Sequence, residues 1–136
     1  MARKRPQSPP SEQPRAPGVP LRAIRKLARE IAERFRPEKI ILFGSHAYGT
    51  PHADSDVDLL VMMPARNMID QSVRIRRATE HRFPLDLIVR TPKYVRRRIE
   101  DGDWFLREIV SKGRVLYEST DEGVGAKGGG RLAERE

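Results

Sequence analysis

The sequence predicts an α/β domain, a small mixed sheet with flanking helices, over residues 20–118 of a 136-residue chain. Three observations carry this reading. Four apolar runs of strand length (39–43, 57–63, 85–89 and 114–117) are rich in β-branched and aliphatic residues and bounded by Gly, Pro or polar residues. Segments with apolar residues at helical spacing, and with start and stop signals, lie before and between them. Beyond 20–118 the composition changes, to Pro-rich at one end and Gly-rich at the other.

Taken in order, residues 1–19 are polar and almost free of large apolar side chains. They bury too little surface to offset ordering and read as a disordered basic arm. Arg3, Lys4 and Arg5 suit a polyanion, or simply solvent. In 21–36, Leu21, Ile24, Leu27, Ala28, Ile31, Ala32 and Phe35 form one helical apolar stripe, which Pro37 ends. The first strand, 39–43, runs into a turn at Gly44 and a short helix at 45–48. His46 and His52 follow without metal-ligand spacing and read as surface histidines or triphosphate contacts. Strand 57–63 ends at Pro64, and 67–82 is a helical pattern with Ile69, Val73, Arg76, Arg77 and Glu80 on one side.

In strand 85–89, Leu85, Leu87 and Val89 share a face, which leaves Asp86 on the other. Thr91-Pro92 is an N-cap followed by Pro at N1, opening a basic helix with Lys93, Arg96, Arg97 and Arg98. Asp103 caps the next helix, whose stripe of Phe105, Leu106, Ile109 and Val110 suits either a core or a docking surface, with Trp104 as packing beside it. Gly113 ends it, 114–117 is the last strand, and 119–136 reads as a disordered Gly-rich tail.

The formal net charge is +8, and the chain has no cysteine, which excludes a disulfide framework and thiol chemistry. No apolar stretch approaches the roughly 18 residues of a membrane span, and the basic N-terminus lacks the apolar core of a signal peptide. A cytoplasmic protein with no membrane partner is the expectation.

The candidate site lies in 39–63. Asp56 and Asp58, two apart along a strand, point the same way, while Val57 and Leu59 point into the core. Carboxylates side by side repel, and a hard divalent cation such as Mg²⁺ relieves this. Mg²⁺ is commonly shared between one or two carboxylates and substrate phosphates. Gly44 permits close backbone approach, and Ser45 offers a hydroxyl at a helix start, both suited to phosphate oxygens. Asp86, an acid inside an apolar strand, needs a partner or an ion.

Gly44-Ser45, ten residues containing Gly49 and Ser55, then Asp56-Val57-Asp58-Leu59, resembles the signature of the polymerase-beta-like nucleotidyltransferase superfamily. Within it, the chain resembles the minimal nucleotidyltransferases, densely over 42–62 and more thinly around Asp86. The resemblance implies the polymerase-beta-like fold and two Mg²⁺ ions held by Asp56, Asp58 and Asp86. It also implies Gly44 and Ser45 on the β and γ phosphates, and ATP as the common donor. Asp86 would complete the metal site and accept the proton of the acceptor hydroxyl. Many family members carry arginines where this chain has His46 and Tyr48, which puts triphosphate affinity in question.

The acceptor follows from size. Related antibiotic and tRNA nucleotidyltransferases carry a further acceptor-binding domain, for which this chain has no room. Minimal members look like the antitoxins of toxin–antitoxin pairs whose partner is a HEPN-type ribonuclease toxin. The resemblance implies transfer of AMP to a tyrosine hydroxyl of that toxin, silencing it. Two other readings stay open: a binding-only antitoxin with a vestigial site, and a nucleotidyltransferase acting on RNA held by Arg96, Arg97, Arg98 and the basic arm.

Overall fold

The computed structural model describes residues 16–120 and the backbone of residues 131–132. The expectations of a disordered arm and tail at 1–15, 121–130 and 133–136 lie outside the described residues. The elements are α1 (Leu21–Phe35), β1 (Lys39–Phe43), α2 (Ser45–Tyr48), β2 (Val57–Met62), α3 (Met68–Ala78), β3 (Leu85–Arg90), α4 (Pro92–Glu100), α5 (Trp104–Lys112), β4 (Arg114–Glu118) and β5 (Arg131–Leu132).

The sheet is mixed, in the order β3-β2-β1-β4-β5. β1 pairs antiparallel with β2 and β4, while β2 and β3 are parallel in one-to-one register from Val57↔Leu85 to Met62↔Arg90. The parallel pair is joined across α3. β5 is a two-residue antiparallel addition to Tyr117 and Glu118.

Period-two burial divides the sheet into two faces. On one, Ile40, Leu42, Val57, Leu59, Val61, Leu87, Val89 and Leu116 form a core with Ile24, Leu27, Ala28, Ile31 and Ala32 of α1 and Ile75 of α3. On the other, Ile41, Phe43 and Leu60 pack against Leu106 and Ile109 of α5. α1 ends as expected before Pro37, with Arg36 in the left-handed region at φ 50° and its N–H bonded to the Ala32 carbonyl. Asn67, Thr91 and Asp103 each accept a hydrogen bond at the N-terminus of α3, α4 and α5.

Three expectations are corrected. The helix read over 67–82 ends at Ala78, and its buried contact is Ile75 rather than Ile69 or Val73, which are 71% and 43% exposed. Thr79 turns the chain to extended backbone while its hydroxyl donates to the Ile75 carbonyl. In α5 only Leu106 and Ile109 are buried, so Phe105 and Val110 flank the core stripe instead of belonging to it. Residues 16–19, read as part of the arm, are seated on the loop after α2: Pro17 bridges His52, and Ala53 N–H donates to the Ala16 carbonyl at 3.0 Å.

Candidate active site

Strand pairing gathers the predicted residues. Phe43 of β1 stands opposite Asp58 of β2, which stands beside Asp86 of β3. Neighbouring strands lie about 4.8 Å apart, so the three form a short row across one end of the sheet. Asp58 alternates with buried Val57 and Leu59, and Asp86 with buried Leu87, so both carboxylates lie on the α5 face. Asp56 precedes Val57 and is exposed, as is Asp86; Asp58 is half-buried between them.

Burial pushes the Asp58 carboxyl from 3.8 up to about 6, and the Asp86 and Asp56 charges and a hydrogen bond to Asp86 push the same way. None of the three aspartates has an ion pair among the described residues. Negative charge is therefore concentrated with no cation among the described residues paired to offset it. An all-oxygen donor set in that condition fits a hard divalent ion. Among the described residues no three His, Cys, Asp or Glu side chains already converge as a ready-made ligand cage. An ion held here would take further ligands from phosphate and water, the habit of Mg²⁺ rather than of a structural metal.

Gly44 sits where the row meets α2. Its φ of 77° is left-handed, and a Cβ there would collide with the Asp58 carboxylate, coming within 3.0 Å of its Cγ. A glycine is thus required both for the turn and for the approach of its backbone to Asp58. Ser45 follows at the first position of α2, and its hydroxyl has no hydrogen-bond partner among the described residues. The structure thereby brings Gly44, Ser45, Asp56, Asp58 and Asp86 to one end of the sheet.

Two neighbours take parts that the sequence reading did not give them. Phe105 of α5 meets Phe43 edge-on, with ring centroids 5.8 Å apart, and forms an aromatic wall at the β1 end of the row. Phe105 remains 53% exposed and the adjacent Trp104 70% exposed, so Trp104 is surface and not core. His46 is neither a free surface histidine nor aimed at a phosphate. It bridges Val19 N–H, at 3.0 Å from Nε2, and the Asp56 carbonyl, at 3.1 Å from Nδ1. Its fellow loop residue His52 has a local role, its Nδ1 accepting from Asp54 N–H at 3.2 Å. A cavity of about 740 Å³ lined by Lys26, Glu30, Glu33, Glu80 and Arg82 lies against α1, on the opposite face from the aspartates.

A parallel–antiparallel sheet carrying acids on adjacent strands beside a Gly-Ser turn is the architecture of a nucleotidyl-transfer domain, and the chain belongs to that family: the nucleotidyltransferase domain model matches residues 24–117. A Methanocaldococcus jannaschii protein named "Putative protein adenylyltransferase" is 29% identical over 101 residues, spanning 71% of this chain and 96% of that protein. A crystal structure described as "a putative nucleotidyltransferase from Sulfolobus solfataricus" shares the fold, with a TM-score of 0.51 over 72% of this chain and 79% of that one, at 22% identity. Among the described residues no helix is long and apolar enough to cross a membrane.

Proposed function

We propose that this nucleotidyltransferase moves AMP from ATP to a hydroxyl of a partner protein, and that the partner is a HEPN-type ribonuclease toxin modified on tyrosine. The observation that carries the reading is the row of Asp58 and Asp86 with Asp56 beside it, set against the Gly44 turn. Mg²⁺ bound to Asp56, Asp58 and Asp86, two ions in the full site, would lower the acceptor's pKa and offset charge on the pyrophosphate leaving group. Gly44 backbone and the Ser45 hydroxyl hold the β and γ phosphates. Asp86, exposed at the outer strand, takes the proton of the incoming hydroxyl. That oxygen bonds to the α-phosphorus as the bond to the β-phosphate oxygen breaks, releasing pyrophosphate.

Several features support a macromolecular acceptor. Asp56 and Asp86 are exposed, so the site is open on the acceptor side. Phe105, packed on Phe43 at the end of the row, and the adjacent Trp104 are exposed aromatic side chains. The name of the Methanocaldococcus jannaschii relative points the same way. The RNA reading is less supported, because Arg97 and Arg98 engage Asp101 and Asp103 at 3.9 and 3.1 Å and Arg98 lies over the Tyr94 ring. The test is to incubate the protein with the product of its neighbouring gene, ATP and Mg²⁺, and weigh both chains. One or more AMP units on the partner, absent with Asp58→Asn, is the expected result. A tight complex with no mass change favours the binding-only antitoxin, and labelling of co-purified RNA favours the nucleic-acid reading.

A further inference from the structure

Val19, before α1, is far from Asp56 in sequence, yet one imidazole joins them. A backbone N–H only donates, so Nε2 of His46, 3.0 Å from Val19 N, is the accepting nitrogen. In a neutral ring the proton then sits on Nδ1, which donates to the Asp56 carbonyl at 3.1 Å. The tautomer is thus fixed by the segment before α1. That segment is itself seated: Ala53 N–H donates to Ala16 at 3.0 Å, and Pro17 bridges His52. Gly18 makes the seat possible, since a Cβ there would lie 2.6 Å from His46 Nε2 and 2.7 Å from Pro51 Cβ. On the far side of Asp56, Val57 N–H is bonded to the Pro84 carbonyl at 2.9 Å, just ahead of β3.

We infer that His46 is a positioning residue for Asp56: residues 16–19 hold its tautomer, and its Nδ1–H fixes the Asp56 backbone so that the carboxylate faces the row of Asp58 and Asp86. Asp56 is exposed and outside the ladder of β2, so the strand alone does not hold it. Its carbonyl accepts from His46, and outer groups of this kind typically change metal affinity or rate by about 10–100-fold. The role rests on the nucleotidyltransferase reading of Asp56.

The two hydrogen bonds can be separated by substitution. His46→Asn places an amide donor near the Nδ1 position, whereas His46→Gln places an acceptor near Nε2 and abandons the Asp56 carbonyl. In the full-length chain, Mn²⁺ affinity is read by calorimetry, and AMP transfer by mass with kcat and KM for ATP separated. His46→Ala and His46→Gln should weaken Mn²⁺ binding about tenfold and lower kcat more than they raise KM, and His46→Asn should regain most of that loss. Gly18→Ala, whose added methyl would crowd both His46 Nε2 and Pro51 and so push the segment off the ring, should fall between them. Wild-type Mn²⁺ affinity and kcat in His46→Gln, or equal damage in His46→Asn and His46→Gln, overturns the role of His46 while leaving the active site intact. A wild-type protein that neither binds Mn²⁺ nor transfers nucleotide overturns the nucleotidyltransferase reading itself, and this role with it.

Discussion

On one face of the sheet, α1 and α3 cover the strands from Ile40 through Leu59 to Val89, and the side chains there are almost wholly excluded from water. On the other, α5 reaches Ile41, Phe43 and Leu60 and then stops, so the next positions along β2 and β3 are Asp58 and Asp86 in place of apolar residues. The same strands thus serve two purposes through alternation alone. Val57 and Leu59 secure the strand from behind, and Asp58 between them faces outward with its charge uncompensated. Chemistry appears where cover is incomplete.

Substitution at adjacent positions tests that division. Asp58→Asn or Asp56→Asn should lower nucleotide transfer by about 100-fold or more, since in the proposed mechanism several kcal/mol of charge stabilisation would depend on metal held at these groups. The far-ultraviolet circular dichroism spectrum should be unchanged. Transfer within about tenfold of wild type in either variant would rule out the proposed metal-holding role of the aspartates. One residue along, Leu59→Ala should cost about 2–5 kcal/mol of stability in urea unfolding, as large-to-small changes in a close-packed core do. Its folded fraction should keep the activity that Asp58→Asn loses. If Leu59→Ala silences transfer without destabilising the chain, the two faces are not independent.

Ser45→Ala should weaken binding of ATP with Mg²⁺ by about 0.5–3 kcal/mol, the range for one lost hydrogen bond. Calorimetric titration reads this directly, and unchanged affinity would rule out the proposed phosphate-binding role of Ser45. The smallest effect concerns pH. Asp58 titrates near 6 in the folded chain against 3.8 ordinarily, so the folded state holds this proton longer than the unfolded. The stability this confers is complete below about 3.8 and is lost as pH rises through 6. Without divalent ions, Asp58→Asn should therefore melt higher than wild type at about pH 7.5 and level with it at about pH 4. The gain is held to about 1 kcal/mol or less by solvent screening of a half-exposed group. An equal gap at both pH values would mean that burial and the neighbouring carboxylates do not set Asp58's proton affinity.

Much of this was legible in the chain itself. The alternation Asp56-Val57-Asp58-Leu59 fixes which side chains turn inward, and the acid inside Leu85-Asp86-Leu87 stands out because apolar strands rarely hold one without a purpose. Those signals are local, with a period of two. α3 is harder to read because a helix whose one buried side chain is Ile75 shows little periodicity, and its exposed Ile69 and Val73 imitate a stripe. The contact of Phe43 with Phe105, and the path from Val19 through His46 to Asp56, join distant residues and leave no spacing to recognise. Residues 16–19 look like linker because their hold on the loop is made by backbone groups, which composition does not report.

The one-to-one parallel register of β2 and β3 carries a consequence for how this site tolerates change. Which residue of β3 stands beside Asp58 is decided by the crossover through α3, a helix anchored by Ile75 and by Arg76, whose Nη1 donates to the Leu85 carbonyl at 3.3 Å. Slip that alignment by a single residue and every side chain of β3 changes face. Leu85 or Leu87 would then stand in the water beside Asp58, and Asp86 would be driven into the apolar interior. The acid pair and the hydrophobic seal are therefore inherited together. An insertion or deletion in residues 79–84 strikes both at once, whereas an exchange of side chains on the outer surface of α3 is free to drift.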